Sequence, residues 1–167
     1  YTSQEVRHQL EDSEAGTIIC EDILYDNVKA AGVALKNVIL TNIGDYLPRL
    51  KRFIGKSALS KAYQGMQVPS PGHIREAGLL QFRDLVKNHP PDPPGVAIDP
   101  DRDIAALPYT GGTTGLPKAA VLTHGNIVSL QAQMISFWPI FEEGKEVGIA
   151  FLPFFHIYGQ VVVMLSG

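Results

Sequence analysis

Residues 109–124 read YTGGTTGLPKAAVLTH and are the most informative stretch of the chain. The first ten of them hold three glycines, three threonines and a lysine, and an apolar run, IAALPY (104–109), leads into them. Glycines let a backbone approach anionic oxygens because no Cβ intervenes. Threonine hydroxyls and successive loop amides can donate hydrogen bonds to those oxygens, and a lysine adds positive charge. The composition therefore predicts a phosphate-binding loop.

Two common phosphate-binding motifs do not fit this loop. A Walker A loop needs G-x-x-x-x-G-K-[ST] at the start of a helix, but Gly115 is followed by Leu-Pro-Lys and Lys118 by alanine. The dinucleotide fingerprint G-x-G-x-x-G fails because Gly111 and Gly112 are adjacent and AAVLT (119–123) predicts a strand, not a helix, after the loop. A polar hairpin between two strands, without a ligand, is the alternative interpretation.

The rest of the chain alternates between helical and strand patterns, which predicts an α/β fold with a parallel, helix-flanked sheet. The first predicted helix begins with a capping box at Thr2 and Glu5 and ends at Gly16. Strands are predicted at 17–20 and 37–41, with a helix between them that begins at Asp22 and ends at Gly32. Further along the chain the patterns predict helices at 47–53, 79–86 and 125–137, a loop at 65–72, and strands at 104–109 and 119–123.

Two further segments carry structural signals. NHPPDPPG (88–95) can form neither a helix nor a central strand, because its prolines lack backbone donors, and it predicts a linker or an exposed crossover. Residues 147–167 contain no Asp, Glu, Lys or Arg and are long enough to raise the question of a membrane span. Turn-forming and polar residues interrupt the middle of this segment. We therefore expect a buried strand from VGIAFLP (147–153) and the start of a packed helix from HIYGQVVVMLSG (156–167).

Composition narrows the functional classes. The net charge of −3 argues against non-specific binding to nucleic acid, which needs excess positive charge. The single cysteine, Cys20, excludes an internal disulfide and, with no signal-peptide pattern at the start, predicts a reducing, cytoplasmic compartment. The histidines outside residues 152–160 show no metal-ligand spacing. The chain lacks an initial Met and stops inside an apolar run, so we expect it to be an excerpt of a longer polypeptide.

One basic run allows two interpretations. It is typical of a solvated helix face, and weak peripheral attraction to an anionic membrane surface is the alternative. Its residues are Arg49, Lys51, Arg52, Lys56 and Lys61.

Two motifs and the opening of the chain resemble a known superfamily. YTGGTTGLPKAAVLTHGNI (109–127) is similar to [YF]TSGTTGxPKGVxLTH, the phosphate-binding signature of the adenylate-forming superfamily of acyl-CoA synthetases, luciferases and peptide-synthetase adenylation domains. LPFFHIYGQ (152–160) resembles its P-x-x-H-x-x-G segment, and residues 1–16 resemble the stretch before its first substrate-side helix. Gly111 stands in place of the usual serine and Ala119 in place of the usual glycine. The first departure is common in medium- and long-chain fatty acyl-CoA ligases.

The resemblance implies part of the large N-terminal domain of such an enzyme. Residues 1–140 would belong to a first α/β subdomain that includes the phosphate loop 109–118, and residues 141–167 would begin a second. A C-terminal lid domain would lie outside the chain, as would the magnesium carboxylate, the ribose-binding aspartate and the catalytic lysine. No catalytic residue is assigned within the chain, and we expect these 167 residues alone to be inactive.

The implied reaction is that of a long-chain fatty acid–CoA ligase. ATP, with Mg²⁺, activates the fatty acid to an acyl-adenylate, and CoA then displaces AMP; the partners are these small molecules, and no oligomeric state is implied. His156 would lie beside the adenylate and the acyl carboxylate, with Tyr158 lining the acyl pocket, and Thr110 would contact the α-phosphate or adenylate. The implied ATP- and phosphate-binding residues are Thr110, Gly111, Gly112, Thr113, Thr114, Gly115 and Lys118.

Two other functional classes stay open at this point. An enzyme that adenylates an aryl or amino acid would keep the same phosphate loop and differ in its acyl pocket. A non-catalytic nucleotide-binding module would keep the loop and lack the downstream catalytic groups.

Overall fold

A computed structural model describes residues 1–46, 68–111, 116–137, 144–145, 147, 149, 151–154 and 156–165. The chain divides into two compact units, Tyr1–Pro94 and Gly95–Gly167. The division falls at the end of NHPPDPPG, whose residues are exposed and, after the first, lie in neither helix nor strand. Residues 89–95 fit the predicted linker or exposed crossover, whereas Asn88 ends a helix, contrary to the prediction.

The first unit opens with helix α1 (Ser3–Asp12), which begins as predicted. The Thr2 hydroxyl accepts a hydrogen bond from the Glu5 amide at 3.3 Å, and the Glu5 carboxylate accepts one from the Thr2 amide at 2.7 Å. The hydrogen bond from the Thr2 backbone is the main cause that lowers the pKa of Glu5 below its usual value. The predicted end at Gly16 is wrong, because Glu14 adopts the left-handed conformation, with φ +53°. The Gly16 carbonyl instead accepts from the Lys36 amide at 2.7 Å, immediately before the sheet begins.

The parallel sheet of the α/β fold lies in this unit and has the order β1-β2-β3. Strand β1 (Thr17–Glu21) and strand β2 (Asn37–Thr41) pair in parallel, as the two β-branched runs predicted. Between them, helix α2 (Tyr25–Ala31) ends at Gly32, whose φ of +68° suits a residue without Cβ. Asp22 does not cap this helix. It lies in a 3₁₀ turn (Asp22–Leu24), and its carboxylate accepts a hydrogen bond from the side-chain Nδ2 of Asn42 at 2.6 Å.

After β2 and a 3₁₀ turn (Ile43–Tyr46), the described chain resumes at residue 68. Helix α3 (Pro71–Glu76) begins where a loop was predicted, because the Ser70 hydroxyl caps it by accepting from the His73 amide at 3.2 Å. The predicted helix 79–86 is partly wrong: strand β3 (Leu80–Gln81) precedes helix α4 (Phe82–Asn88). Strand β3 pairs with β2 in parallel, so tertiary pairing overrides the local pattern at these two residues.

The core of the first unit packs against the parallel sheet. Tyr25, Leu40 and Ile74 are buried together, with Cys20 packed against them. Half-burial raises the pKa of the Cys20 thiol, and the nearby Asp22 carboxylate adds to that effect. The sheet is thus held by one apolar face shared with α2 and α3.

The second unit contains antiparallel strands that carry the glycine–threonine loop. Strand β4 (Ile104–Ala106) pairs with β7 (Leu122–Thr123), and β5 (Tyr109–Thr110) pairs with β6 (Lys118–Ala119). The predicted strands on either side of the loop are confirmed, although each is split in two. Their antiparallel pairing corrects the prediction that they belong to the parallel sheet. Pro108 lies outside both β4 and β5, so the ladder needs no donor from it, and its carbonyl accepts from the Ala120 amide at 3.0 Å.

The described part of the second unit also contains two helical segments. Helix α5 (His124–Phe137) follows β7, and residues 157–158 lead into a π helix (Gly159–Met164) in which Gly159 and Val161 are buried. The predicted start of a helix after residue 156 is confirmed.

The predicted buried strand at 147–153 is wrong for the residues that can be described there. Val147, Ile149 and Phe151 are 98%, 87% and 79% exposed, and none of them lies in a strand. A strand forms only where a neighbour satisfies its backbone groups, and an apolar pattern cannot supply that neighbour.

Several predictions fall on residues outside the described ranges. These are the helix at 47–53, the basic run from Arg49 to Lys61, and the subdomain boundary near residue 140. The boundary and the membrane-surface contact therefore stay predictions. Among the described helices, none has both the length and the apolar character that crossing a bilayer requires.

Candidate functional site

The loop is closed at its base by the β5–β6 pair. Thr110 lies opposite Lys118, and the Thr110 hydroxyl donates to the Lys118 carbonyl oxygen at 3.2 Å. Both residues are exposed, as is Gly111. A Cβ at Gly111 would meet no described atom within 4 Å, so none of the described residues crowds its backbone. These three predicted phosphate-binding residues therefore share one exposed end of a hairpin, which suits the approach of a phosphate.

The hydroxyl of Thr110 already has a partner within the protein. A threonine hydroxyl has one hydrogen to donate, and here that hydrogen goes to the Lys118 carbonyl. To donate to a phosphate instead, Thr110 would have to exchange this bond. The other predicted loop residues, Gly112, Thr113, Thr114 and Gly115, lie outside the described ranges, and their roles stay predictions.

The strand that leaves the loop is joined to α5 by a reciprocal cap that was not predicted. The Asn126 side chain accepts from the Thr123 amide at 3.0 Å, and the Thr123 hydroxyl accepts from the Asn126 amide at 3.3 Å. The Thr-x-x-Asn spacing was the signal for it. At the same junction the Gly125 amide donates to the Pro100 carbonyl at 2.7 Å, and a Cβ on Gly125 would lie 2.9 Å from that oxygen. The glycine is needed for this close approach.

The second motif forms a tight turn around the Pro153 carbonyl oxygen. This oxygen accepts from the His156 amide at 3.0 Å. The His156 ring is exposed, and its Nδ1 accepts from the Tyr158 amide at 3.2 Å. Gly159 packs so closely on the turn that a Cβ would lie 2.5 Å from the Pro153 oxygen. The packing role of Gly159 was not predicted, although Gly159 is the glycine of the P-x-x-H-x-x-G segment.

Tyr158 also lines an apolar pocket of about 220 Å³ between α5 and the helical segment 157–164. Ile127 and Leu130 of α5 line it too, and Leu130 is 43% exposed. The pocket suits an apolar ligand because its walls are almost entirely hydrocarbon. The lining residues are Leu122, Asn126, Ile127, Leu130, Ile157, Tyr158, Val161 and Val162.

In the described part of the chain, no three His, Cys, Asp or Glu side chains lie close enough together to hold a metal ion. Lys118 places a positive charge at the base of the hairpin, which suits an anionic ligand.

Comparison with known proteins identifies the family. The model of the AMP-binding enzyme family matches residues 1–167, and the chain belongs to this family. The long-chain-fatty-acid–CoA ligase of Bacillus subtilis (strain 168) is 34% identical over 171 residues, covering 98% of this chain and 29% of that relative. A 4-coumarate–CoA ligase of Humulus lupulus is 32% identical over 142 residues, covering 84% of this chain and 25% of that relative. The chain thus spans less than a third of the length of these relatives.

A solved structure shares the fold. The crystal structure of ATP-bound MatB from Rhodopseudomonas palustris aligns with 99% of this chain and 26% of its own, with a TM-score of 0.65 and 22% sequence identity. The predicted fold class, an α/β fold with a parallel sheet, is confirmed. At this identity the likeness concerns the fold alone.

Proposed function

We propose that the chain supplies the phosphate-binding loop and one acyl-pocket wall of an AMP-forming acid–CoA ligase that acts on a fatty acid. The observation that carries this proposal is the hairpin base. Thr110, Gly111 and Lys118 lie together at an exposed end of the hairpin, in a chain that matches the AMP-binding family throughout. In the proposed reaction the carboxylate attacks the α-phosphate of ATP, and CoA then displaces AMP from the acyl-adenylate.

The loop contributes charge neutralisation and positioning to this reaction. Phosphoryl chemistry gains mainly from donors and cations held in place around the reacting phosphorus. Lys118 supplies a cation, and the backbone around Gly111 is accessible because both residues are exposed. Mg²⁺ and CoA belong to the proposed reaction of the complete protein, and none of the described residues is assigned to either.

The apolar pocket supports an acid with a hydrocarbon body. Its lining by Tyr158 and aliphatic side chains suits either an alkyl chain or an aromatic ring. The relatives named above include ligases for both, so an aryl acid is the second candidate. The fatty acid is preferred because Gly111 follows the fatty acyl-CoA ligase pattern.

Substrate profiling of the complete polypeptide tests this proposal. Pyrophosphate exchange is measured with fatty acids of graded length and with 4-coumarate, each at saturating ATP. We expect the highest kcat/KM with a fatty acid. A higher kcat/KM with 4-coumarate would favour the aryl acid instead. ATP binding without exchange for any acid would indicate a non-catalytic module.

A pocket-filling variant tests the acyl wall. Val162→Phe adds volume to the pocket lining, so we expect preference to shift toward shorter acids at unchanged KM for ATP. Val128→Phe is the matched control because Val128 lies on α5 outside the pocket and is 62% exposed. An unchanged preference for acid chain length in Val162→Phe would show that this pocket is not part of the acyl site.

A further inference from the structure

The first turn of α5 is held from outside the helix at two successive residues. The Gly125 amide donates to the Pro100 carbonyl oxygen at 2.7 Å. The Asn126 side-chain oxygen accepts from the Thr123 amide at 3.0 Å, and the Asn126 amide donates to the Thr123 hydroxyl at 3.3 Å. These four residues, 100, 123, 125 and 126, are named the α5 joint. They fix the direction in which the helix leaves strand β7.

The same end of α5 forms one wall of the apolar pocket. That wall consists of Leu122 of β7 and of Asn126, Ile127 and Leu130 of α5. No residue of α5 is buried against the described part of the chain. Packing among the described residues therefore fixes the helix less firmly than a buried core would. The position of the pocket wall depends on the hydrogen bonds of the α5 joint.

Asn126 belongs both to the α5 joint and to the pocket wall. A backbone N–H can only donate, so the side-chain oxygen of Asn126 is the atom that faces the Thr123 amide. The pocket walls are almost entirely hydrocarbon. The oxygen of Asn126 therefore serves the joint, and an apolar ligand has no use for it.

We propose that Asn126 is a positioning residue for the acyl pocket. Through its bonds with Thr123 it holds the α5 wall in place, and it thereby sets how sharply the enzyme discriminates between acids of different chain length. In the described part of the chain, the α5 joint makes no hydrogen bond to Thr110 or Lys118 at the base of the phosphate loop. The inference rests on the proposed function and deepens it, because it names a residue that governs acid specificity by acting through another residue.

Two substitutions of the same bulk separate the joint from the pocket lining. Asn126→Asp keeps an oxygen that accepts from the Thr123 amide, and the start of a helix favours a negative charge. Asn126→Leu keeps the bulk and loses the acceptor. The readout is the ratio of kcat/KM for two fatty acids of different chain length, measured by pyrophosphate exchange with the complete polypeptide. A ratio is used because partial unfolding lowers the activity toward both acids equally.

We expect Asn126→Leu to reduce this ratio by about twofold to thirtyfold, which is the range to which the loss of a helix cap converts. The KM for ATP should not change, and Asn126→Asp should keep the wild-type ratio. If Asn126 instead acted by contact with the acid, the order would reverse, because Leu preserves an apolar wall and Asp places a charge in it. That reversed order, or the wild-type ratio in Asn126→Leu, would overturn the proposal.

Thr123 tests the joint from outside the pocket, because it is absent from the pocket lining. Thr123→Val removes the hydroxyl that accepts from the Asn126 amide, whereas Thr123→Ser keeps it. We expect a reduced ratio in Thr123→Val and the wild-type ratio in Thr123→Ser. Ser136→Ala is the matched control, since the Ser136 hydroxyl donates to the Ala132 carbonyl oxygen at 2.8 Å within α5, away from the joint and the pocket. The wild-type ratio in Thr123→Val, or an equal loss in Ser136→Ala, would overturn the proposal.

The position of the wall can also be read without activity. Selective methyl labelling of leucine gives signals by NMR, and Leu130→Ile identifies those of Leu130, which lies about two helical turns beyond Thr123. We expect Thr123→Val to shift or broaden the Leu130 signals and Thr123→Ser to leave them in place. Unchanged signals in Thr123→Val would overturn the inference that the joint holds the wall. A wild-type protein without exchange for any acid would refute the proposed function, and the NMR comparison would still decide the role of the joint.

Discussion

Replacing Thr110 with valine distinguishes two roles for its hydroxyl. In the structure the hydroxyl donates to the Lys118 carbonyl at 3.2 Å across the base of the loop. Valine has nearly the same shape and lacks the hydroxyl. An exposed, neutral hydrogen bond of this kind contributes about 0.5–1.5 kcal/mol, whereas a bond to a charged phosphate oxygen contributes about 1.5–3 kcal/mol. These ranges convert to about twofold to tenfold for loop closure and about tenfold to a hundredfold for phosphate contact.

We expect the smaller effect, because the single hydroxyl hydrogen is already donated within the hairpin. A looser loop must be ordered when ATP binds, so the cost should appear as a rise in KM for ATP of about twofold to tenfold with kcat nearly unchanged. The assay is pyrophosphate exchange by the complete polypeptide over a range of ATP concentrations. Thr110→Ser, which keeps the hydroxyl, should behave like wild type.

A loss of about a hundredfold in kcat at unchanged KM would refute this reasoning. It would mean that the hydroxyl leaves Lys118 in the transition state and donates to the α-phosphate, which is the role that the superfamily resemblance implies for Thr110.

Three further predictions concern other parts of the chain. Thr113→Ala and Thr114→Ala should each lower the rate of adenylation by tens-fold, because each removes a hydrogen-bond donor to a charged phosphate oxygen. The preference for acyl chain length should stay unchanged. A shift in that preference, with a normal dependence of the rate on ATP, would contradict the assignment of this loop to phosphate binding. Glu5→Gln should reduce the loss of stability in acid, measured as the free energy of unfolding against pH. Because the pKa of Glu5 is lowered in the folded protein, its carboxylate stabilises the fold at any pH above the usual pKa of a glutamate. This stabilisation is lost as the pH falls through the lower pKa of the folded state. A difference in the free energy of unfolding between wild type and variant that does not change with pH would contradict this prediction. Cys20 should react with iodoacetamide more slowly than an unstructured cysteine peptide at the same pH, because its raised pKa reduces the thiolate fraction. Equal rates for the protein and the peptide would contradict the raised pKa.

Much of the fold follows from local signals. The capping box at Thr2, the β-branched runs of β1 and β2, and Gly32 at the end of α2 act over a few residues, so the sequence alone predicts them. The glycines and threonines of residues 109–118 likewise predict phosphate chemistry, because that chemistry depends on residue type and close spacing.

Other features depend on contacts that no local pattern encodes. Strand β3 was missed because it forms by pairing with β2, and the predicted strand at 147–153 failed because the described residues there have no paired neighbour. Within the candidate site, the sequence by itself determined which residue types are present at the loop and at the second motif. The tertiary structure alone decided that the Thr110 hydroxyl is engaged by Lys118 and that His156 accepts through Nδ1. A hydrogen bond has a direction only once its donor and acceptor have been brought together.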